Sequence, residues 1–243
     1  LAQPVRDQRM RHGHARRQQQ AAADDAVDQF GRAEPARVGE FGADADRRIA
    51  RMRDEAAANP DAFWRDVAKR LDWYRAPTHI KDVSYDLKDF RIKWFADGEL
   101  NASVNCLDRH LTNGRRNKAA LIWQGEHDHE VKVYTYQMLH TEVCRFANVL
   151  RKMGVKKGDR VSLYLPMIPE LAIAVLACAR VGAVHAVVFA GFSAVSLQNR
   201  VADSQSKVLV TADAVLRAGR TIPLKPNADE ALKTCPSVER CLV

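Results

Sequence analysis

The sequence predicts an α/β fold built on a parallel β-sheet, and three observations lead to that fold class. From about residue 117 onward, short runs rich in Val, Leu and Ala alternate with segments of helical periodicity. Several of these runs are continuously apolar, which is typical of strands that are buried on both faces of a parallel sheet. Pro and Gly stand where the intervening helices are expected to begin and end. The crossovers between such strands are right-handed by default.

The expected elements of residues 117–243 follow in chain order. "KAALIWQ" and "VKVYTY" predict a pair of strands, and "TYQMLHTEVCRFANVLRKMG" predicts an amphipathic helix that ends at Gly154. The strand "DRVSLYLP", a helix opened by Pro169 and the strand "AVHAVVF" come next. A short helix from Ser193, the strand "SKVLVT", the helix "NADEALKT" and the run "VERCLV" complete the region. We interpret residues 117–243 as an incomplete α/β subdomain.

Two zones of different composition precede this region. Residues 1–50 are rich in Ala, Arg, Gln and Asp and hold almost no large aliphatic residues, so they cannot bury enough apolar surface to offset the entropy of ordering. We therefore expect a disordered or non-native extension there, with Met52 as a candidate start. Residues 51–116 predict a helical and irregular segment, in which Asn59 caps a helix that has Pro60 at its first position.

Composition and charge exclude some classes of protein. The net charge is +8, but the 38 Lys and Arg residues are scattered among 30 Asp and Glu, with no basic stripe interleaved with aromatic residues. We therefore expect no nucleic-acid partner, while a polyanionic small ligand would suit the charge. No apolar run reaches the roughly 18 residues that span a bilayer, so we expect no membrane association.

The five cysteines (Cys106, Cys144, Cys178, Cys235, Cys241) form no C-x-x-C pair and no zinc-ligand spacing. Cys144 and Cys178 fall in apolar helical patterns, where we expect small buried thiols. This usage favours a reducing compartment, and we expect a cytoplasmic protein.

The stretch "VVFAGFS" at residues 187–193 is the first candidate binding element. A buried strand stops there in a turn, and in open parallel sheets ligands bind outside the carboxyl ends of the strands. Ala190 and Gly191 would let the backbone approach a ligand, and Phe189 and Phe192 offer an aromatic face for a purine. Ser193 begins the following helix, whose free amides favour anions.

The next strand leads to the second candidate element, "ADAVLRAGRTIPLK". Arg217 and Arg220 are three residues apart, so on a helical turn they lie on one face, and Ala218 and Gly219 stand between them. Two guanidinium groups suit the bidentate recognition of phosphate. A Phe at a strand end is also typical of a core, however, and an R-x-x-R loop is also typical of a solvated surface. The residues by themselves leave both interpretations open.

The remaining polar residues that we considered indicate no catalytic or metal-binding site. His185 lies mid-strand, and we interpret it as a core histidine with a satisfied side chain. "NCLDRH" at residues 105–110 suits one helical turn whose side chains point in different directions, so an internally paired helix end is expected. The sequence shows no triad spacing, paired carboxylates or metal-ligand constellation, and we predict no catalytic and no metal-binding residue in this chain.

Longer stretches resemble a known family. "NPDAFWRDVAKRLDW", "IKWFADGELNASVNCLDRHL", "RVSLYLPMIPELAIAVLACARVGAVHAVVFAGFS" and "RAGRTIPLK" resemble the N-terminal part of the AMP-forming acetyl-CoA synthetases, in the acyl-adenylate-forming superfamily. The similarity runs from about residue 54 to Val243, and residues 1–50 show none. The family implies ATP with Mg²⁺, acetate and CoA as substrates, with acetyl-adenylate as the intermediate.

The resemblance also implies roles for the two candidate elements. The turn matching Phe189, Ala190 and Gly191, and the loop from Arg217 to Arg220, line the family's pocket for the adenosine 3′-phosphate end of CoA. Ala190 departs from the family, which usually has Gly there. The family's phosphate loop, acetate pocket and catalytic lysine have no counterpart here, so we expect an N-terminal fragment that is inactive alone. The alternatives are a propionyl-CoA or other short-chain acyl-CoA synthetase, and a non-catalytic remnant or anion-binding module.

Overall fold

The computed structural model describes residues 38–127 and 129–243, and these residues form two compact units divided between Lys69 and Arg70. This division does not coincide with the predicted one at residue 116. The physical reason lies in residues 101–108, which are fastened to the helix at residues 169–181. The side-chain amide of Asn101 donates to the carbonyl oxygens of Ala179 and Arg180, each at 3.1 Å.

In residues 38–69, the described part of the first unit, the chain forms two helices, α1 (Val38–Ala58) and α2 (Pro60–Ala68). As expected, Asn59 caps α2, because its side-chain oxygen accepts a hydrogen bond from the amide of Ala62 at 3.0 Å. Helix α1 crosses the predicted limit of the disordered extension, so residues 38–50 are helical. Its Ala, Arg and Glu residues favour a helix even without a buried face, and residues 44–50 are all exposed. Residues 1–37 lie outside the described residues.

The second unit contains the remaining elements. Its first part holds β1 (Lys81–Ser84), β2 (Arg91–Trp94), a π-helical turn (Val104–Asp108), α3 (Arg109–Thr112), β3 (Ala119–Gln124), β4 (Val131–Thr135) and α4 (Tyr136–Lys152). Its second part holds β5 (Arg160–Tyr164), α5 (Pro169–Val181), β6 (Val184–Val187), α6 (Ala194–Ser204), β7 (Val208–Thr211), β8 (Ala214–Arg217), β9 (Arg220–Pro223), α7 (Lys225–Leu232) and β10 (Arg240–Leu242).

Four of these strands form the predicted parallel sheet, in the order β10-β7-β5-β6. Val161 pairs with His185 of β6 on one side and with Val208 of β7 on the other. The α/β fold class with a parallel sheet is therefore confirmed. The expected pair β3 and β4 is also present, as an antiparallel hairpin.

Helices cover both faces of the sheet, as its continuous apolar strands predict. Val161 and Leu163 of β5 pack with residues of α4 and α5 on one face. Tyr164, together with Leu209 of β7, packs with residues of α6 and α7 on the other face. The buried hydroxyl groups of Ser162 and Ser206 satisfy each other, with their Oγ atoms 2.7 Å apart.

Strand β6 lies at one edge of this sheet, and this position changes the interpretation of its residues. Val184 and Val187 keep 54% and 51% of their surface exposed. His185 is also exposed. The expectation of a core histidine at His185 is therefore wrong, because within the described residues no strand pairs with the free side of β6. Across the part of the chain that is described, none of the helices combines the length and apolar character needed to cross a membrane.

Candidate functional site

The first predicted element is a tight turn that follows β6. The amide of Phe192 donates to the carbonyl oxygen of Phe189 at 3.0 Å, which closes the turn. From the end of β5, the hydroxyl of the fully buried Tyr164 donates to the carbonyl oxygen of Phe192 at 2.8 Å and lies 3.1 Å from that of Ala190. The core of the sheet therefore fixes the position of this turn.

The two aromatic rings of the turn are in different environments. Phe189 is 55% exposed, while Phe192 is half-buried against the cluster that contains Tyr164. Their ring centroids are 5.6 Å apart in an edge-to-face arrangement. The guanidinium of Arg200 lies 4.5 Å above the ring of Phe192, so this ring is already occupied by a cation. Phe189 is therefore the ring that remains open for a ligand.

Gly191 is required for the position of the Phe189 ring. A Cβ atom at residue 191 would lie 2.5 Å from Cε1 of Phe189, which is closer than real Cβ atoms come. Only glycine allows the exposed ring to lie across the turn. Ala190 packs partly against the same apolar cluster as Phe192, so its methyl group is accommodated on the core side.

Ser193 begins α6 as expected, but the first amides of this helix are not all free to bind an anion. It is the N-cap of α6, and its hydroxyl accepts a hydrogen bond from the amide of Ser196 at 3.4 Å. One of the amides that we expected to be free for an anion is therefore engaged by the chain itself.

The second predicted element differs from the expected helical turn. Arg217 and Arg220 end and begin the two strands of an antiparallel hairpin, in which they are direct cross-strand partners. Ala218 and Gly219 form its two-residue loop with φ angles of +50° and +70°, the conformation of a type I′ turn. Paired residues of such a hairpin point to the same side, about 5 Å apart at Cβ. The two guanidinium groups are thus neighbours for a different reason than predicted.

Both arginines are exposed, and no carboxylate among the described residues lies within ion-pair distance of either one. The loop between them is held instead through its backbone. The carboxylate of Glu126, in the β3–β4 loop, accepts a hydrogen bond from the amide of Gly219. This contact joins residues 93 positions apart, and no local sequence pattern signals it. It positions the hairpin while it leaves both guanidinium groups available.

Two models of known protein families match this chain. The family model described as "AMP-binding enzyme" matches residues 107–243, and that described as "Acetyl-coenzyme A synthetase N-terminus" matches residues 49–106. The chain belongs to the AMP-binding enzyme family. The resemblance stated from the motifs is therefore confirmed.

Three curated relatives of this chain carry the name acetyl-coenzyme A synthetase. The acetyl-coenzyme A synthetase of Psychrobacter cryohalolentis is 57% identical over 188 residues, covering 76% of this chain and 28% of the relative. That of Syntrophus aciditrophicus is 52% identical over 193 residues, covering 79% and 30%. That of Caulobacter vibrioides is 55% identical over 186 residues, covering 76% and 29%. The chain thus spans less than a third of the length of these relatives.

The sheet brings the two candidate elements of this chain to the same end of its strands, the carboxyl end. The turn at residues 189–192 follows the carboxyl end of β6, and the hairpin follows the carboxyl end of β7, with β5 between them. Ala190, Phe192 and Val215 of the hairpin all pack against the cluster that contains Tyr164. Their joint role in binding stays a prediction.

The side chains of the "NCLDRH" segment are hydrogen-bonded mainly to distant residues, and the expected internal pairing is seen between Arg109 and Asn105, at 3.3 Å. The side chain of Asn105 accepts from the amide of Asp72 at 2.8 Å and donates to its carbonyl oxygen at 2.9 Å. Asp108 forms an ion pair with Arg180 and lies 3.3 Å from Nε2 of His140. Within residues 38–127 and 129–243, no group of three or more His, Cys, Asp or Glu side chains could hold a metal ion.

Replacing Tyr164 with Phe tests how far the core fixes the turn at residues 189–192. The substitution leaves the carbonyl oxygens of Ala190 and Phe192 without their hydroxyl donor, so we expect a loss of about 1–3 kcal/mol in the free energy of unfolding. The amide of Phe192 should also exchange faster with deuterium. Hydrogen exchange measured by mass spectrometry checks both, with Tyr85→Phe at a 76% exposed tyrosine as the control. Unchanged exchange at residues 189–193 would show that Tyr164 does not hold the turn.

Proposed function

We propose that this chain is the N-terminal part of an ATP-dependent acetate–CoA ligase of the AMP-forming type. In this proposal, its parallel sheet belongs to the large N-terminal domain of acyl-adenylate-forming enzymes. Support comes from relatives named acetyl-coenzyme A synthetase at 52–57% identity over more than three quarters of the chain. Acetate, ATP with Mg²⁺, and CoA would be the substrates. The five unpaired cysteines suit our proposal of a cytoplasmic enzyme.

One observation carries the assignment of a site to this chain. Arg217 and Arg220 stand as unpaired neighbours across a two-residue loop, at the same sheet edge as the exposed ring of Phe189. We propose that the guanidinium groups bind the 3′-phosphate of CoA, for which a pair of arginines offers bidentate, charge-assisted hydrogen bonds. The adenine would stack on Phe189, where Ala190 and Gly191 let it approach the backbone.

The proposed reaction has two steps, and this chain serves the second. An acetate oxygen attacks the α-phosphate of ATP, which forms acetyl-adenylate and releases pyrophosphate. The thiol sulfur of CoA then attacks the acetyl carbonyl carbon, the bond to AMP breaks, and AMP leaves. The residues of this chain would hold the nucleotide end of CoA and thereby position its thiol. The ATP and Mg²⁺ sites and the catalytic lysine would belong to other parts of the ligase.

The direct experiment is an assay of the intact protein that carries this chain, with acetate, ATP, Mg²⁺ and CoA. We expect acetyl-CoA, AMP and pyrophosphate in equal amounts, and little product when propionate replaces acetate. The purified 243-residue chain should form no product under the same conditions. Faster turnover of propionate would favour the alternative acyl-CoA synthetase, while no thioester from either acid would contradict the ligase assignment.

A further inference from the structure

A cavity of about 660 Å³ lies near the amino ends of the strands of the parallel sheet. It is formed where α4 and α5 end and where the chain runs from α4 into β5, with Cys144, Arg151, Lys156, Lys157 and Arg180 among its lining residues. Helices that cross over a parallel sheet end at the amino edge of the strands, whereas the proposed CoA site lies at the carboxyl edge. The cavity is therefore a separate feature of the molecule.

The lining of this cavity carries an excess of positive charge. Four of its side chains are Lys or Arg, and no Asp or Glu is among the described residues that line it. Arg151, Lys156 and Lys157 are exposed and form no ion pair within the described part of the chain. Arg180 is different, because its ion pair with Asp108 fixes the guanidinium in the wall. The three cations that have no carboxylate partner among the described residues raise the local potential and favour an anion there.

Favourable interaction with a helix C-terminus explains only two of the four cations in the lining. Arg151 and Arg180 lie in the last turns of α4 and α5, where a cation interacts favourably with the helix dipole. Lys156 and Lys157 belong to no helix, so this explanation does not extend to them. The stem of Lys157 lies over Gly182, where an added Cβ would come within 3.0 Å of its Cγ. The missing side chain at Gly182 therefore leaves room for a lysine in the cavity wall.

We propose that this cavity binds a small phosphorylated anion that carries two or more negative charges. The volume falls within the roughly 300–1,000 Å³ that is common for small-molecule sites. Arg180, which Asp108 holds in the wall, adds a fixed positive charge, and the flexible lysines can follow the phosphoryl groups. The proposal goes beyond the ligase reaction and does not depend on it, because none of these residues belongs to the proposed CoA site.

Cys144 provides a local readout of occupancy. Its sulfur is half-buried in the cavity lining, 3.6 Å from Nε2 of His140. Burial raises the pKa of the Cys178 thiol to about 12, so this thiol should not react at neutral pH. Cys106 is exposed and does not line the cavity, so it serves as the internal reference.

The experiment measures the alkylation rates of Cys144 and Cys106 by N-ethylmaleimide in the full chain, using peptide mass spectrometry. Pyrophosphate is the probe, and potassium chloride at equal ionic strength is the control. We expect pyrophosphate to slow the alkylation of Cys144 in a saturable way and to leave Cys106 unaffected. The double variant Lys156→Gln/Lys157→Gln should need about tenfold more pyrophosphate for the same protection.

A matched variant separates the cavity from general charge effects. Arg145→Gln removes an exposed cation from the same helix as Cys144, but Arg145 pairs with Glu142 and does not line the cavity. Protection should stay at the level of the parent chain in this variant. If pyrophosphate does not protect Cys144, or if it protects the double lysine variant equally well, the proposed site is overturned.

Discussion

Replacing Arg217 and Arg220 together with Ala is expected to raise the apparent KM for CoA in the proposed ligase by about 100-fold or more. Each charge-assisted contact to phosphate is worth roughly 1.5–3 kcal/mol, and every 1.4 kcal/mol is a factor of ten in affinity. Arg217→Ala alone should therefore cost about tenfold or more. The formation of acetyl-adenylate should be unaffected in both variants, because CoA enters only in the second step.

Two readouts separate the binding role of these arginines from a structural one. Both guanidinium groups are exposed, so the free energy of unfolding should change by less than about 0.5 kcal/mol. Acetate-dependent exchange of pyrophosphate into ATP should keep its parent rate, since this exchange reports adenylation alone. Arg145→Ala, at an exposed arginine on α4, is the control and should alter neither value. A double variant with an unchanged KM for CoA would remove the hairpin from the CoA site.

The second large effect concerns stability. Leu163→Ala should lower the free energy of unfolding by about 2.7–5 kcal/mol, which combines the lost burial of the side chain with the cavity left behind. Leu163 is fully buried at a strand that has neighbours on both sides, and it packs in the cluster formed with α4 and α5. The neighbouring strands and helices limit how far the site can collapse around the smaller side chain.

Denaturant unfolding of the intact protein, followed by the fluorescence of its tryptophans, measures this loss. Leu87→Ala makes the same chemical change at a side chain that is 97% exposed, and should cost less than about 0.5 kcal/mol. Equal losses in the two variants would contradict the position of Leu163 at the centre of the core.

The parallel sheet was predictable because strands that are buried on both faces have apolar residues at nearly every position. The strand "VLVT" has three consecutive apolar residues followed by a β-branched Thr, and the structure buries all four residues of β7. The order of the strands cannot be read from any local pattern, since it depends on which strands pair across the fold. The exposed position of His185 follows from that order. A histidine in an apolar strand looks buried until the strand is known to be an edge.

In the candidate site, too, local features were predictable from the sequence and long-range contacts were not. The turn after β6 was predictable because Phe189 and Gly191 are adjacent to a strand end. The hairpin at Arg217 was mistaken for a helical turn, although Ala-Gly between two short β-prone runs also suits a two-residue loop. The contacts from Tyr164 to the turn and from Glu126 to Gly219 span 28 and 93 residues. Only the folded chain brings these groups together.

The most direct test of the account compares CoA with 3′-dephospho-CoA as the acceptor, in the intact parent ligase and in its Arg217→Ala/Arg220→Ala variant. If the arginines bind the 3′-phosphate, the variant should lose about 100-fold or more in kcat/KM with CoA and almost nothing with 3′-dephospho-CoA, because that acceptor lacks the group they contact. An equal loss with both acceptors, or no loss with either, would contradict the assignment of this edge of the sheet to the nucleotide end of CoA.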